Sequence, residues 1–285
     1  MREDWSLAIQ GGGTRAVFAC GVTDVLIEEN IMPKEVYGTS AGVLIGLMYI
    51  LKEKEAAYDI VAKGIGNPRF LQPLHYLFGG SLINFKTMLS EKRNPKLNKK
   101  SIESSPIDLY AVCTNLNTFE SAYFDQRDPN FWDAVEGSCS LTMFRKNPVM
   151  VGDVPTLDGG FVERVPYFKP RKEGQDKIVI ISSRERGYRF PEEVIHEKDE
   201  KKVAKRFKDY PAFVKGYETN RPLFNKQQEE LEKEADEGRV FVIYPPEPIQ
   251  VGLIEFNKNK IREAYLAGVK AAKEILPALR QYLSE

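Results

Sequence analysis

The sequence predicts an α/β fold with a mainly parallel central sheet, and three stretches carry that reading. Residues 5–10 form a short apolar run that ends in glycines and opens a helix-periodic segment. Residues 36–39 repeat the pattern ahead of a helix that starts at Ala41. Residues 177–182 are almost continuously apolar, as a strand buried on both faces requires.

Taken in order, residues 5–10 are the first strand, and 14–29 a helix whose apolar face includes Val17, Phe18, Val22, Val25 and Leu26. Residues 36–39 and 41–53 supply the second strand and helix, and the crossover imposes parallel pairing. Residues 64–90 break into Pro, Gly and aromatics, an apolar insertion. Residues 107–116 and 120–124 pair as strands, 131–142 form a helix, and 149–157 are extended. Alternating charges make 184–239 a mainly helical segment outside the sheet. A strand over 239–244 and a helix over 257–282 close what is expected to be one domain spanning 1–285.

Composition narrows the function classes. Of 285 residues, 42% are hydrophobic and 29% charged, ordinary for a globular protein. Lys plus Arg and Asp plus Glu are 41 each, so no global charge recruits nucleic acid, and any membrane contact must be local. The cysteines Cys20, Cys113 and Cys139 leave an odd thiol and lack metal-ligand spacing, which favours a reducing compartment. The charged start Met1-Arg2-Glu3-Asp4 does not resemble a signal peptide, and the longest apolar run, near Val43, is too short to span a bilayer. A cytoplasmic location is expected.

Three motifs carry chemistry. Gly38-Thr39-Ser40-Ala41-Gly42, between strand and helix, is a nucleophile elbow: the turn exposes the serine hydroxyl, and flanking glycines let strand and helix approach. Gln10-Gly11-Gly12-Gly13-Thr14-Arg15-Ala16 offers converging backbone N–H groups to a phosphate or an oxyanion. It also fits the glycine pattern of dinucleotide-binding folds, but the second strand ends in Thr39-Ser40 rather than in the acidic residue that would hold a ribose. Asp158-Gly159-Gly160 reads alone as a hairpin turn, and with Ser40 as a source of the base that a serine nucleophile needs. His75 and His196 are the two histidines. His196 sits in a charged stretch that reads as solvated surface; His75 lies in the apolar insertion, partly buried or in contact with substrate.

Together the glycine loop, the early elbow and the Asp-Gly-Gly triplet resemble the patatin-like phospholipase family, over most of the chain. The segments 158–166 and 240–248 with the closing helix look most like a bacterial cytoplasmic-type branch. The resemblance implies a three-layer α/β/α architecture and hydrolysis of lipid carboxylic esters by a Ser-Asp dyad with no metal or cofactor. It implies Ser40 as nucleophile and Asp158 as general base, with an oxyanion hole from Gly11, Gly12 and Gly13 near Arg15. Gly38, Gly42, Gly159 and Gly160 support the motifs. Two departures stand out: Ala16 replaces a glycine of the family loop, and Arg164 stands where the family tends to place a small polar residue or proline.

Lipid or acyl ester is therefore the expected partner, with peripheral contact to a membrane surface. The apolar insertion suits an acyl groove or lid, or else caps the core. Lys92, Arg93, Lys96, Lys99 and Lys100 follow it, a basic cluster able to meet anionic headgroups or simply to be solvated. The competing readings are a carboxylesterase or thioesterase of soluble esters, and a non-catalytic acyl-lipid binding module.

Overall fold

A computed structural model describes residues 4–64, 68–191 and 197–285. Among the described residues, eight strands form one sheet: β1 (Ser6–Ile9), β2 (Glu35–Thr39), β3 (Asp108–Asn115), β4 (Glu120–Asp125), β5 (Val149–Val151), β6 (Val154–Asp158), β7 (Ile178–Ile181) and β8 (Phe241–Ile243). The order is β5-β6-β3-β2-β1-β7-β8, with β4 on the other edge of β3. From β3 to β8 the pairings are parallel; β4, β5 and β6 join antiparallel. The first two parallel pairings follow from the right-handed crossovers that α1 (Val17–Glu28) and α2 (Ala41–Ile50) make possible.

Both faces of the sheet are covered, and the period of two along each strand decides which residue goes where. Leu7, Ile9, Val179 and Ile181 face one core, shared with α1, α2, α3 (Ala56–Gly64) and the long helix Lys258–Ser284. Ala8, Ile178 and Ile180 face the other, against Leu231 of the helix Pro211–Asp236. That explains why 177–182 lacks alternation: each inward side chain on either face is removed from water, at about 25 cal/mol per Å². The charged segment forms the helices Glu197–Arg206 and Pro211–Asp236; Val203 and Phe213 on them, and Phe207 between them, join Leu157 and Phe161 in a third cluster.

Some expected boundaries shift. The first turn after the glycines is a 3-10 turn, Gly13–Ala16, before α1 begins. The helix expected over 131–142 ends at Ser138. The hairpin turn lies at Gly152-Asp153 between β5 and β6, whereas Asp158 leads into the 3-10 turn Gly159–Phe161. The insertion contains the short helices Pro73–Leu77 and Phe85–Met88. Cys20, Cys113 and Cys139 are free and buried, and desolvation raises all three thiol pKa values. Among the described residues, no helix is long and apolar enough to cross a membrane.

Candidate active site

Two strands meet end to end. Thr39, the last residue of β2, is paired with Val112 of β3, and Asp158, the last residue of β6, is paired with the next β3 residue, Cys113. β4 occupies the opposite edge of β3 throughout, so β2 and β6 share one edge and run toward each other. Ser40 and Asp158, far apart in sequence, are thereby brought together where the chain leaves each strand. Thr114 Oγ1 donates to Asp158 O at 2.8 Å, and Asp158 N donates to Ser140 O at 3.0 Å, which pins the end of β6.

Ser40 has the backbone an elbow demands, φ 56° and ψ −128°, a conformation that costs a non-glycine residue about 1–3 kcal/mol. Its surroundings enforce it. Ser40 N donates to Ser138 Oγ at 2.9 Å, and Ser138 Oγ donates to Val112 O at 2.7 Å. All ten residues of α2 are buried, and a side chain at Gly42 would lie 2.2 Å from Ile9 O, so the helix is locked against β1. Ser40 is the N-cap of α2, at the positive end of that helix.

Asp158 is 2% exposed. Its Oδ1 accepts from Gly160 N at 2.8 Å, and among the described residues its Oδ2 has no hydrogen-bond partner. Burial pushes the carboxyl up to about 6, against the opposing pull of the Gly160 N–H, the neighbouring Ser40 hydroxyl and the Arg164 charge. Gly159 and Gly160 form the turn after it, and Thr39 Oγ1 donates to Glu163 O at 2.9 Å across the gap.

The glycine loop lies over this pair. Gly11 and Gly12 share a cavity of about 230 Å³ with Ser40, Asp158, Arg15 and Arg164, and Gly13, at φ 57°, borders a smaller crevice beside Ser40. Among the described residues, the N–H groups of Gly11, Gly12 and Gly13 donate to no protein acceptor. Gln10 Oε1 accepts from Ser182 Oγ at 2.8 Å and from Ser183 N at 2.9 Å, while Ser183 Oγ donates to Gly11 O at 2.7 Å. Arg15 Nε donates to Val251 O at 3.1 Å, and burial lowers its pKa to about 10. Gly38 packs against the backbone of Val43, under the elbow.

The insertion divides its roles. Ile83 and Phe85 are buried and, with Leu44 and Phe144, line the crevice beside Ser40, whereas Leu74, Leu77 and Phe78 are exposed. His75 is exposed, with Nδ1 3.3 Å from Ser81 O, and it borders none of the cavities around Ser40, contrary to the partly buried or substrate-contact position expected of it. His196 lies outside the described residues. Of the basic cluster, no residue lines the cavities around Ser40. Lys96 pairs with Glu53 beyond the C-terminal end of α2, a helix about 15 Å long with Ser40 at its other end. Among the described residues, no group of three or more His, Cys, Asp or Glu could hold a metal ion.

Ser138, Ser183 and Arg184 were not legible in the sequence, and Gln10 was legible only as the residue that opens the glycine motif. Ser182-Ser183-Arg184 directly follows a fully buried parallel strand, and the carboxyl ends of such strands are where sites form in open α/β sheets. That position was the available signal. Ser138 had none, because its role depends on the fold bringing it to Ser40.

Known proteins agree with the architecture. A family model described as patatin-like phospholipase matches residues 7–168, and one described as a domain of unknown function (DUF6363) matches residues 210–284. The uncharacterized protein YjjU of Escherichia coli (strain K12) is 22% identical over 291 residues, covering 98% of this chain and 79% of that protein. The crystal structure of VipD from Legionella pneumophila is similar in fold, with a TM-score of 0.51 at 14% identity, over 98% of this chain and 67% of that one. Since the first of these matches spans more than half of the chain and includes the elbow, the glycine loop and the Asp-Gly-Gly turn, the chain belongs to the patatin-like phospholipase family, in general a family of lipid acyl hydrolases.

Proposed function

We propose that this chain hydrolyses lipid carboxylic esters, with Ser40 as nucleophile and Asp158 as general base. The end-to-end meeting of β2 and β6 carries the reading: it sets a buried carboxylate oxygen without a partner, Asp158 Oδ2, beside a serine held in an elbow. Ser40 Oγ attacks the ester carbonyl carbon while Asp158 takes its proton. The oxyanion is met by the free N–H groups of Gly11, Gly12 and Gly13. The tetrahedral adduct collapses, the alcohol leaves with the proton from Asp158, and an acyl-serine remains. Water then attacks that ester, gives a proton to Asp158, and releases the fatty acid and the Ser40 hydroxyl.

A fluorophosphonate probe is expected to label the wild-type protein at a single serine and to leave Ser40→Ala unlabelled; labelling that persists in that variant would remove Ser40 from the role. Because Asp158 must be ionised to act, kcat/KM for a neutral ester should rise with pH through about 6 and level off above it. An acid limb centred near 4 would show that burial does not tune the base.

A lipid surface, rather than a soluble ester, is favoured by the exposed face of the helix Pro73–Leu77. Leu74, Leu77 and Phe78 recur at helical spacing and are 70%, 65% and 89% exposed. Lys146 Nζ lies 3.2 Å from Leu77 O, on the same rim. We therefore propose peripheral membrane contact through this helix. The Leu74→Ser, Phe78→Ser double variant should lose most activity on phospholipid vesicles and keep that on p-nitrophenyl butyrate; equal retention on both would place the contact elsewhere.

A further inference from the structure

Arginines outnumber carboxylates around the site, and Glu185 bears on Arg15 only through space, without an ion pair. Arg15, Arg164 and Arg184 all border the cavity that contains Ser40, where Asp158 is the one acidic residue among those described. Elsewhere in the same half of the chain the pattern is the reverse: Arg171, Arg186 and Arg189 are paired with Glu234, Asp236 and Glu232. Among the described residues, none of the three cavity arginines has a carboxylate within ion-pair distance.

Arg164 is the most telling. Its guanidinium carbon lies 4.7 Å from the Phe190 ring and 5.3 Å from that of Phe224, Nη2 donates to Asn220 Oδ1 at 3.3 Å, and Nε is buried with no partner. The two rings hold the group in place at the cavity wall, with one of its donors unpaired among the described residues. Arg184 is placed similarly, 4.0 Å over the Tyr188 ring, itself part of the cavity wall. Burial and mutual repulsion lower the pKa of Arg15 and of Arg164 to about 10, which still leaves both charged at neutral pH. Desolvated like charges are costly unless an anion joins them. Asp158 supplies one negative charge, but a carboxylate serving as base cannot also be committed to an arginine.

We propose that Arg15, Arg164 and Arg184 form an anion subsite beside Ser40, and that the preferred substrate is a single-chain acyl ester bearing a phosphomonoester within a glycerol's length of the scissile bond. Guanidinium donors match phosphate oxygens in pairs, and three of them favour a dianion over a zwitterionic headgroup. The rings of Phe190, Phe224 and Tyr188, which would otherwise welcome a quaternary ammonium, are already occupied by Arg164 and Arg184. The cavity's volume of about 230 Å³ keeps phosphate and ester close together.

The inference rests on the serine-hydrolase reading, so the two are tested separately. Wild type, Arg184→Gln and Arg164→Gln are compared on monooleoylglycerol phosphate, monooleoylglycerophosphocholine and monooleoylglycerol, with thermal midpoints as a check on folding. Wild type should favour the phosphomonoester over monooleoylglycerol by about tenfold or more in kcat/KM, and that ratio should fall at least about fivefold in Arg184→Gln. Absence of a preference, or a preference unmoved in both variants, rejects the phosphomonoester headgroup. Inorganic phosphate is titrated calorimetrically into the wild-type and Arg184→Gln proteins; binding lost in the variant supports the subsite, and no binding to wild type argues against it. Phosphate binding without a phosphomonoester preference would assign the subsite to the free ion and reject the headgroup. If no ester at all is cleaved, the hydrolase reading fails, and the phosphate titration still decides the subsite.

Discussion

Asp158→Asn should cut ester hydrolysis by about 10²–10⁴-fold and, at the same time, make the folded protein more stable near neutral pH. The loss of activity follows from removing the group proposed to accept the Ser40 proton. The gain in stability follows from linkage. Burial raises the Asp158 carboxyl from an ordinary 3.8 to about 6, so between those values the folded chain holds a proton that the unfolded chain has released. Folding stability therefore falls as pH rises from about 4 to about 6 and is constant above. The penalty on the plateau is about 3 kcal/mol. Asparagine keeps an oxygen for the Gly160 N–H and carries no charge, so it should recover about 1–3 kcal/mol at pH about 8 and almost nothing at pH about 4. Urea unfolding at both values is the measurement. A variant that is less stable than wild type at the higher pH would mean that the carboxylate is not burdened by its site.

Gly11→Ala should silence the enzyme from the other side. An added Cβ would lie 2.6 Å from Thr39 O and 2.7 Å from Ser40 Cβ, and the elbow behind these atoms cannot yield. Nor can the loop simply tilt, since Gly11 O is tied to Ser183 Oγ and the preceding Gln10 side chain to Ser182 and Ser183. The loop must draw back from Ser40 and take its N–H groups out of reach of the oxyanion. Loss of one such donor typically costs about 10²–10³ in kcat, and overpacking of this kind about 1–3 kcal/mol of stability. Fluorophosphonate labelling rates and thermal unfolding together test this: a folded variant that labels at the wild-type rate would exclude the loop from the site.

The parallel half of the sheet was legible because its signals are local. A strand, a glycine turn and an amphipathic helix each announce themselves within a dozen residues, and the crossover then fixes the direction of pairing. Partner choice is not local. The sequence placed 107–116 beside 120–124, yet nothing in it said that 149–157 would fold back on itself and share an edge of β3 with β2. The residues of the motifs were visible for the same reason as the strands, whereas their supports were not. The helix that begins at Phe131 stops at Ser138, where the Ser138 hydroxyl bridges Ser40 N and Val112 O. In the basic stretch 92–100, Lys96 reaches Glu53 past the far end of α2, a contact between segments that no local signal announces.

Because β3 serves as the common template for β2 and β6, the spacing of Ser40 and Asp158 is measured in backbone hydrogen bonds along one strand. The intervening connections do not enter that measurement. Loops such as residues 64–107 can lengthen, shorten or be exchanged between relatives while the two side chains keep their separation, so new substrate walls can be tried without renegotiating the chemistry. A one-residue insertion within β3, by contrast, would slide one partner against the other and turn alternate side chains to the wrong face. Evolutionary freedom in this fold is thus unevenly distributed: wide in the connections, and nearly absent along the eight residues of β3.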